Sequence, residues 1–161
     1  MDTQTIELIG RNQLTAELLR AGLEVALPLR DRGIDLIAYA DTGTDVATFT
    51  AVPIQMKVAS ERSFSINRKY EKFPNLLHAY VWGIQASECL ATYALTQPEA
   101  IAVAAEMGYT ATPSWQNDGS YSTTRPSRKL LALLEDYRMT PERWRAKILG
   151  LLPRTREATG V

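Results

Sequence analysis

Two stretches in the first half of the chain alternate between apolar and polar or small side chains. In residues 33–38 the apolar side chains recur at every second position, and Asp35 falls on the face opposite them. In residues 54–58 the polar side chains Gln55 and Lys57 likewise lie opposite the apolar ones. Successive side chains of a strand point to opposite faces of a sheet. The pattern predicts two strands that, paired as a hairpin, bring Asp35, Gln55 and Lys57 onto one face.

Three polar groups on one patch of sheet indicate a functional site. An acid buried without a partner costs several kcal/mol, so Asp35 is expected to have a partner or a role. A simple ion pair between Asp35 and Lys57 in a structural α/β domain is the alternative interpretation, and such pairs are common.

The rest of the pattern predicts a mixed α/β fold. Apolar residues at helical spacing predict a first helix over residues 4–21, which Gly22 ends. Alternating or apolar runs predict strands over residues 23–29, 33–40, 47–59, 63–67, 76–84 and 90–95, with a turn at 41–45 and a helical turn or loop at 67–73.

The second half of the chain is predicted to be mainly helical. Thr96 followed by Glu99 is typical of a capping box and predicts a helix that ends near residue 108. Two further helices are predicted at 127–137 and 141–151, the second capped by Thr140. Residues 109–126, between the helix capped by Thr96 and the helix at 127–137, are predicted to be irregular, with Trp115 and Tyr121 as anchors. Residues 157–161 are predicted to be disordered.

The first predicted helix carries two glutamates on different faces. Glu7 shares a largely apolar stripe with Arg11 and Leu14, whereas Glu17 lies beside Gln13 and is predicted to be solvated. Glu7 is thus an acid on a largely apolar stripe of the helix. A surface acid near a helix N-terminus, where negative charge is favoured, is the alternative interpretation.

Composition narrows the classes of protein and of site. The 161 residues are 45% hydrophobic and 22% charged, which predicts one domain spanning 1–161. A single cysteine, Cys89, and a single histidine, His78, argue against a disulfide framework and against cysteine-rich or multi-histidine metal sites. His78 is expected to be packed or at the surface, not a ligand. Without an 18-residue apolar run or a basic-then-apolar leader, a cytoplasmic protein with no membrane association is expected.

The net charge is zero, so any nucleic-acid binding depends on local basic patches. Residues 57–72 hold five basic side chains and two acidic ones. The nucleic-acid-binding candidates in this segment are Arg62, Arg68, Lys69 and Lys72. Residues 138–156 hold six basic side chains and one acidic one, which is consistent with a phosphate-binding face. A solvated surface is the alternative interpretation for both segments.

The order helix, strand, strand with Asp, strand with Gln-x-Lys resembles the PD-(D/E)XK nuclease superfamily, in particular its Holliday-junction-resolvase-like and restriction-endonuclease-like members. The similarity covers roughly residues 4–84 and rests on residues 19–22, 33–37 and 54–57. It implies a restriction-endonuclease-like core at about 4–108, an α+β sandwich with a mixed β-sheet flanked by helices. Residues 127–152 would be a C-terminal helical extension.

The resemblance also implies roles for the polar side chains. Asp35, Gln55 and Lys57 would be catalytic, with Asp35 and Gln55 as ligands of Mg²⁺ or Mn²⁺ and Lys57 beside the attacking hydroxide or the phosphate. The backbone carbonyl of Met56 could add a ligand. Most members carry an acid at the position of Gln55, and many carry a helix glutamate where this chain has Arg11. Glu7, one turn earlier, would replace that glutamate as a metal ligand, with Glu17 as a weaker candidate.

The expected function is therefore metal-dependent cleavage of DNA by phosphodiester hydrolysis, and a homodimer is one arrangement the sequence allows. The alternative is a catalytically degenerate protein of the same fold that binds DNA or a protein partner without cleavage.

Overall fold

The computed structural model describes residues 1–30, 32–40, 49, 51–86 and 89–151. The predicted turn at 41–45, the start of the strand predicted from residue 47 and the predicted disordered end at 157–161 lie outside the described residues. In chain order the elements are α1 (Thr3–Arg20), β1 (Leu23–Ala26), β2 (Leu36–Ala40), β3 (Ala51–Val58), β4 (Phe64–Asn67), β5 (Leu77–Trp82), β6 (Ala91–Thr96), α2 (Gln97–Glu106), α3 (Pro113–Asp118), β7 (Ser120–Thr123), α4 (Arg128–Leu134) and α5 (Pro141–Leu151).

A five-stranded mixed sheet forms the centre of the fold, with its strands in the order β1-β2-β3-β5-β6. Neighbouring strands are antiparallel except for β3 and β5, which are parallel. The link between these two strands contains β4, which pairs with β7 in a separate two-stranded antiparallel sheet. The predicted fold class, a mixed sheet flanked by helices, is confirmed.

Each face of the central sheet is covered by its own hydrophobic cluster. Leu14 and Leu18 of α1 and Trp144 of α5 are fully buried in the first cluster, together with Ile54 of β3. The second cluster lies on the opposite face and contains aromatic side chains of the sheet together with β4, α2, α3 and α4; its largest members are Phe64, Tyr80, Trp82, Tyr93 and Trp115. The predicted C-terminal extension therefore contributes to both layers, through α4 in the second cluster and α5 in the first.

The alternation that predicted β2 and β3 matches their burial. Leu36 and Ala38 of β2 and Ile54 and Met56 of β3 all lie in the first hydrophobic cluster. The predicted strand at 33–40 begins only at Leu36, because Gly33 has a φ of +90°, outside the strand region.

The prediction of irregular structure at 109–126 is wrong. This region contains a short 3₁₀ helix (Tyr109–Ala111), then α3 and β7. Helix α3 has six residues and strand β7 has four, so each is too short for its period to show in the sequence. Trp115 is buried as predicted, and Tyr121 stacks on Tyr109 with 4.0 Å between ring centroids.

Both predicted helix caps are confirmed. The Thr96 side chain accepts from the N–H of Glu99, whose carboxylate in turn accepts from the N–H of Thr96. The Thr140 hydroxyl accepts from the N–H of Arg143, in the first turn of α5.

The prediction that Glu17 is solvated is wrong. Its carboxylate accepts hydrogen bonds from the Gln13 amide at 2.9 Å, from the Thr92 hydroxyl at 2.8 Å and from the Trp144 indole N–H at 3.0 Å. Thr92 lies on β6 and Trp144 on α5, and both are buried. The hydrogen bonds of Glu17 therefore connect α1 with β6 and α5. Glu17 does not line the cavity that holds the predicted metal ligands.

Helix α1 lies unusually close to β3 at Gly10. A Cβ atom added at this glycine would come within 2.5 Å of both γ-methyl carbons of Val58. The absence of a side chain lets the first half of α1, which carries Glu7, lie directly against the strand that carries Gln55 and Lys57.

Replacement of Gly10 by alanine should therefore lower stability by about 1–3 kcal/mol, the usual effect of overpacking. At an exposed helix position the same change would raise stability by up to about 1 kcal/mol. Thermal unfolding checks the sign. The double variant Gly10→Ala/Val58→Ala removes the clash and should melt above Gly10→Ala, whereas a Gly10→Ala protein as stable as the wild type would contradict the close approach.

Candidate functional site

A cavity of about 350 Å³ opens where α1 meets the beginning of β2 and the end of β3. Its lining brings together four side chains that the sequence singles out: Glu7, Asp35, Gln55 and Lys57. Thr3, Ile6, Gly33, Met56 and Val58 complete it. The convergence of Asp35, Gln55 and Lys57 follows from the alternation of the two strands; their catalytic roles stay predictions.

Asp35 lies immediately before β2, beside β3. Its Oδ2 accepts the backbone N–H of Met56 at 2.6 Å, and its own N–H donates to the carbonyl of Ile54 at 2.9 Å. These bonds fix the carboxylate next to Gln55, the residue between the two. A backbone N–H stabilises the charged form of a carboxylate. The Asp35 carboxylate is therefore held in place at the wall of the cavity.

Gln55 carries a buried oxygen atom with an unused capacity for bonding. Its Oε1 is shielded from solvent and accepts no hydrogen bond from the part of the chain that the structure describes. Most buried polar atoms are hydrogen-bonded, and an exception costs roughly 1–3 kcal/mol. Gln55 lines the same cavity as Asp35, and rotation of its amide into that cavity would offer this oxygen to a cation or to a donor from a ligand.

Lys57 is the cation of the site. Burial, together with the positive charge of the nearby Lys69, lowers the pKa of its ammonium group to about 8, although the Asp35 carboxylate opposes the shift. Its Nζ lies 5.9 Å from the centroid of the Tyr70 ring, and the Nζ of Lys69 lies 4.9 Å from the same centroid. Lys57 therefore carries a proton at neutral pH that it can lose more easily than an exposed lysine.

A reaction that needs the positive charge of Lys57 should slow as the pH rises through about 8. The sign follows from the lowered pKa, because the ammonium form is lost from about pH 8 upward instead of near pH 10.5. Lys57→Arg keeps its charge throughout this range, so its rate should not show the alkaline decline. The initial reaction rates of the wild type and of Lys57→Arg, measured from pH 6 to 9.5, check this prediction. An identical decline in both proteins would assign it to another group.

Glu7 lines the cavity, but its carboxylate is already paired with an arginine of the same helix. Its Oε1 forms an ion pair with Nη2 of Arg11 at 2.9 Å, one helical turn further along α1. The side chains are 46% and 30% exposed respectively, so the pair can exchange with solvent. Among the described residues no group of three or more His, Cys, Asp or Glu side chains could hold a metal ion. A cation at this site would rely on Asp35 and the Gln55 amide, with Glu7 available only if Arg11 releases it.

The four predicted nucleic-acid-binding residues are exposed but do not form one cluster with the site. Lys69 lies over Tyr70, near Lys57. Arg68 lies over the Trp115 ring at 5.0 Å and Lys72 over Phe73 at 5.1 Å. Arg62 lines a second cavity that adjoins the first.

The basic side chains of α5 are largely engaged within the protein. Arg143 donates to the carbonyls of Glu135 and Asp136, and Arg145 donates to the carbonyl of Gly22. Lys147 forms an ion pair with Glu99 at 2.5 Å. In the described part of this segment the structure favours the interpretation of a helix surface over a phosphate-binding face.

The sequence analysis did not place Tyr70 and His78 near the site. His78 pairs with Gln55 in the parallel β3–β5 register and is buried, and its ring makes an edge contact with Tyr70 at 5.0 Å. The Gln97 amide nitrogen donates to the carbonyl of Asn67, so its oxygen faces Nε2 of His78 at 2.6 Å and accepts from it. Burial lowers the pKa of His78 to about 4, so this histidine is neutral. The prediction of a packed histidine is confirmed.

Comparison of the chain with known protein families, curated proteins and solved structures finds no match. Within the described residues, no helix combines the length and the apolar character that crossing a membrane requires.

Proposed function

We propose that this protein is a metal-dependent DNA endonuclease of the PD-(D/E)XK type, with a restriction-endonuclease-like core. The observation that carries the proposal is that Gln55, whose buried Oε1 is unsatisfied among the described residues, lines one cavity with Asp35 and Lys57. An anion, an oxygen ligand and a cation around a solvent-reachable space are the groups that phosphodiester hydrolysis requires.

The donor set fits a hard divalent cation such as Mg²⁺ or Mn²⁺. Asp35 and Gln55 both offer oxygen, the ligand atom such ions prefer, and Glu7 would add a second carboxylate on leaving Arg11. When bound, such an ion polarises a phosphate and lowers the pKa of a coordinated water molecule. With one carboxylate and one neutral amide in place, the expected affinity is low, so Mn²⁺ should support the reaction better than Mg²⁺ because nitrogen and oxygen sites bind it more tightly.

The chain's own residues have separable tasks in this proposal. Asp35 keeps its charge because Met56 donates to it, and Met56 in turn stays fixed between Gln55 and Lys57. Lys57 holds a proton beside the position of a phosphate, where burial makes its charge more effective than it would be in water. The ring of Tyr70 faces the Lys57 ammonium group and helps to hold that side chain in position.

The proposal is tested by cleavage of labelled linear and branched DNA in the presence of Mg²⁺, Mn²⁺ or EDTA. We expect cleavage with Mn²⁺ and none with EDTA. Gln55→Glu restores a second fixed carboxylate and should lower the metal concentration for half-maximal rate about tenfold or more. Gln85→Glu adds the same charge at an exposed residue outside the cavity lining and should leave it unchanged. Absence of metal-dependent cleavage by both wild type and Gln55→Glu would refute the proposal.

A second candidate function is DNA binding without cleavage, which the Glu7–Arg11 ion pair favours. That pair neutralises the second carboxylate of the cavity and leaves Nε of Arg11 buried without an acceptor among the described residues. In this case the wild type binds DNA but does not cleave it with any metal ion. Arg11→Gln, which releases Glu7, should then raise Mn²⁺ affinity, whereas Gln85→Glu should not.

A further inference from the structure

A second cavity, of about 510 Å³, continues from the first along the surface of the protein. The two share Thr3 and Ile6 of α1 and Val58 at the end of β3. The second cavity then extends past the residues that precede β4 and those that follow β7; these are Ser60, Glu61, Arg62, Ser63, Thr124 and Arg125. We call the part lined by Arg62, Ser63, Thr124 and Arg125 the arginine groove.

The two arginines of the groove are brought together by strand register. In the β4–β7 ladder Phe64 lies opposite Thr123. Arg62 lies two residues before this pair and Arg125 two residues after it, so both follow the same end of the ladder. The N–H of Arg125 donates to the Thr123 hydroxyl at 3.2 Å, which fixes the chain where it leaves β7. Both arginines are therefore held at the same end of the small sheet, on the wall of the second cavity.

This placement brings two positive charges together without compensation. Both side chains are exposed, and neither guanidinium forms an ion pair or hydrogen bond with any side chain that the structure describes. Glu61 lines the same cavity but is paired with neither of them in the described residues. An oxyanion bound by both guanidinium groups would form charge-assisted hydrogen bonds with each of them.

The charges around the first cavity extend the same arrangement. Lys57 lines that cavity, with Lys69 close to it, while Arg62 and Arg125 lie in the cavity that continues from it past Val58. The negative Asp35 thus shares its cavity with one cationic group and adjoins another pair. A chain of phosphates has the regular negative charge that this extended set of cations would follow.

We propose that the arginine groove binds the phosphodiester backbone of a nucleic-acid strand whose neighbouring phosphate occupies the first cavity. The role of that first phosphate rests on the proposed function, but binding in the groove does not require cleavage. Arg62 and Arg125 would each contact the backbone, and Ser63 and Thr124, which line the same cavity, would add hydroxyl donors to its oxygens.

The experiment measures binding of fluorescein-labelled single-stranded and duplex DNA by anisotropy, in EDTA and at several salt concentrations. Arg62→Ala and Arg125→Ala should each weaken binding about three- to tenfold and lower the salt slope by about 0.7–0.9, the release expected for one phosphate contact. The double variant should lose both contributions. Arg128→Ala removes an exposed arginine from α4, outside both cavities, and should match the wild type.

Thermal unfolding of each variant shows that lost binding is not lost folding. Unchanged affinity and salt slope in the double variant would overturn the inference, as would a wild type that binds neither DNA. Binding of a fluorescein-labelled phosphoserine peptide that excess unlabelled DNA does not displace would also overturn it in favour of a protein partner. Metal-dependent cleavage is measured separately. If the double variant loses binding and neither it nor the wild type cleaves DNA, the arginine groove is supported and the nuclease function is rejected. If the wild type cleaves DNA and the double variant binds it unchanged, the nuclease function is supported and the groove is rejected.

Discussion

Replacement of Asp35 by asparagine should reduce metal-dependent DNA cleavage by about a thousandfold or more. Asp35 is the one carboxylate of the cavity held by a backbone donor, and Gln55, its neighbour there, has no charge. Asparagine has nearly the same shape and keeps an oxygen that can accept the Met56 N–H. The loss would therefore report the missing charge, which in the proposed function holds the metal ion.

The measurement is the initial cleavage rate at saturating Mn²⁺, with thermal unfolding to show that the variant is folded. Glu24→Gln is the matched control, because it removes an exposed acid from β1, outside the cavity lining, and should retain the wild-type rate. A rate for Asp35→Asn within about threefold of the wild type would mean that Asp35 is not the principal metal ligand.

Replacement of Glu17 by alanine should lower the melting temperature by roughly 5–15 °C. The change removes the acceptor of the Trp144 indole N–H and of the Thr92 hydroxyl, both on buried residues. A buried donor left without an acceptor costs about 1–3 kcal/mol, and hydrogen bonds to a charged group lie toward the upper end of their range. The expected loss is therefore about 2–4 kcal/mol.

Glu17→Gln retains one amide oxygen and should fall between alanine and the wild type in melting temperature. Glu24→Ala, at an exposed position, should change it by no more than about 2 °C. If Glu17→Ala melts with the wild type, then the three hydrogen bonds do not hold α1, β6 and α5 together. Cleavage by folded Glu17→Ala should persist, since Glu17 lies away from the cavity lining.

The convergence of Asp35, Gln55 and Lys57 could be predicted from the sequence because it depends on a local property. A strand has a period of two, so five or six residues suffice to place a side chain on one face or the other. The strands that carry these residues are adjacent both in sequence and in the sheet, which leaves little freedom in how they pair.

The environment of Glu17 could not be predicted in this way. Helical periodicity separates the faces of α1, but it does not reveal which distant element covers each face. Trp144 is 127 positions away from Glu17 in the chain. Its indole N–H donates to Glu17 on a face of α1 whose residues are polar, so a face expected to be solvated is in contact with a buried side chain. The same limit applies to Glu7, for which the sequence shows Arg11 at the right spacing but not that the two would pair beside Asp35.

The arginine groove depends on a pairing that short strands conceal. β4 and β7 have four residues each, and more than fifty residues separate them. Arg62 was predicted as a nucleic-acid contact because of its basic neighbours, whereas Arg125 stands in a region predicted to be irregular. The pairing of β4 with β7 brings both arginines to the same end of the small sheet and onto one cavity.

Binding of Mn²⁺ tests the central claim most directly, because it addresses the cavity without requiring the right DNA. Titration followed by the electron paramagnetic resonance signal of free Mn²⁺ measures affinity and stoichiometry for the wild type, Asp35→Asn, Gln55→Glu and Glu24→Gln. We expect one weak site in the wild type and in Glu24→Gln, at least tenfold weaker binding in Asp35→Asn and tighter binding in Gln55→Glu. Equal Mn²⁺ binding by the wild type and Asp35→Asn, or none by the wild type and Gln55→Glu, would contradict the claim.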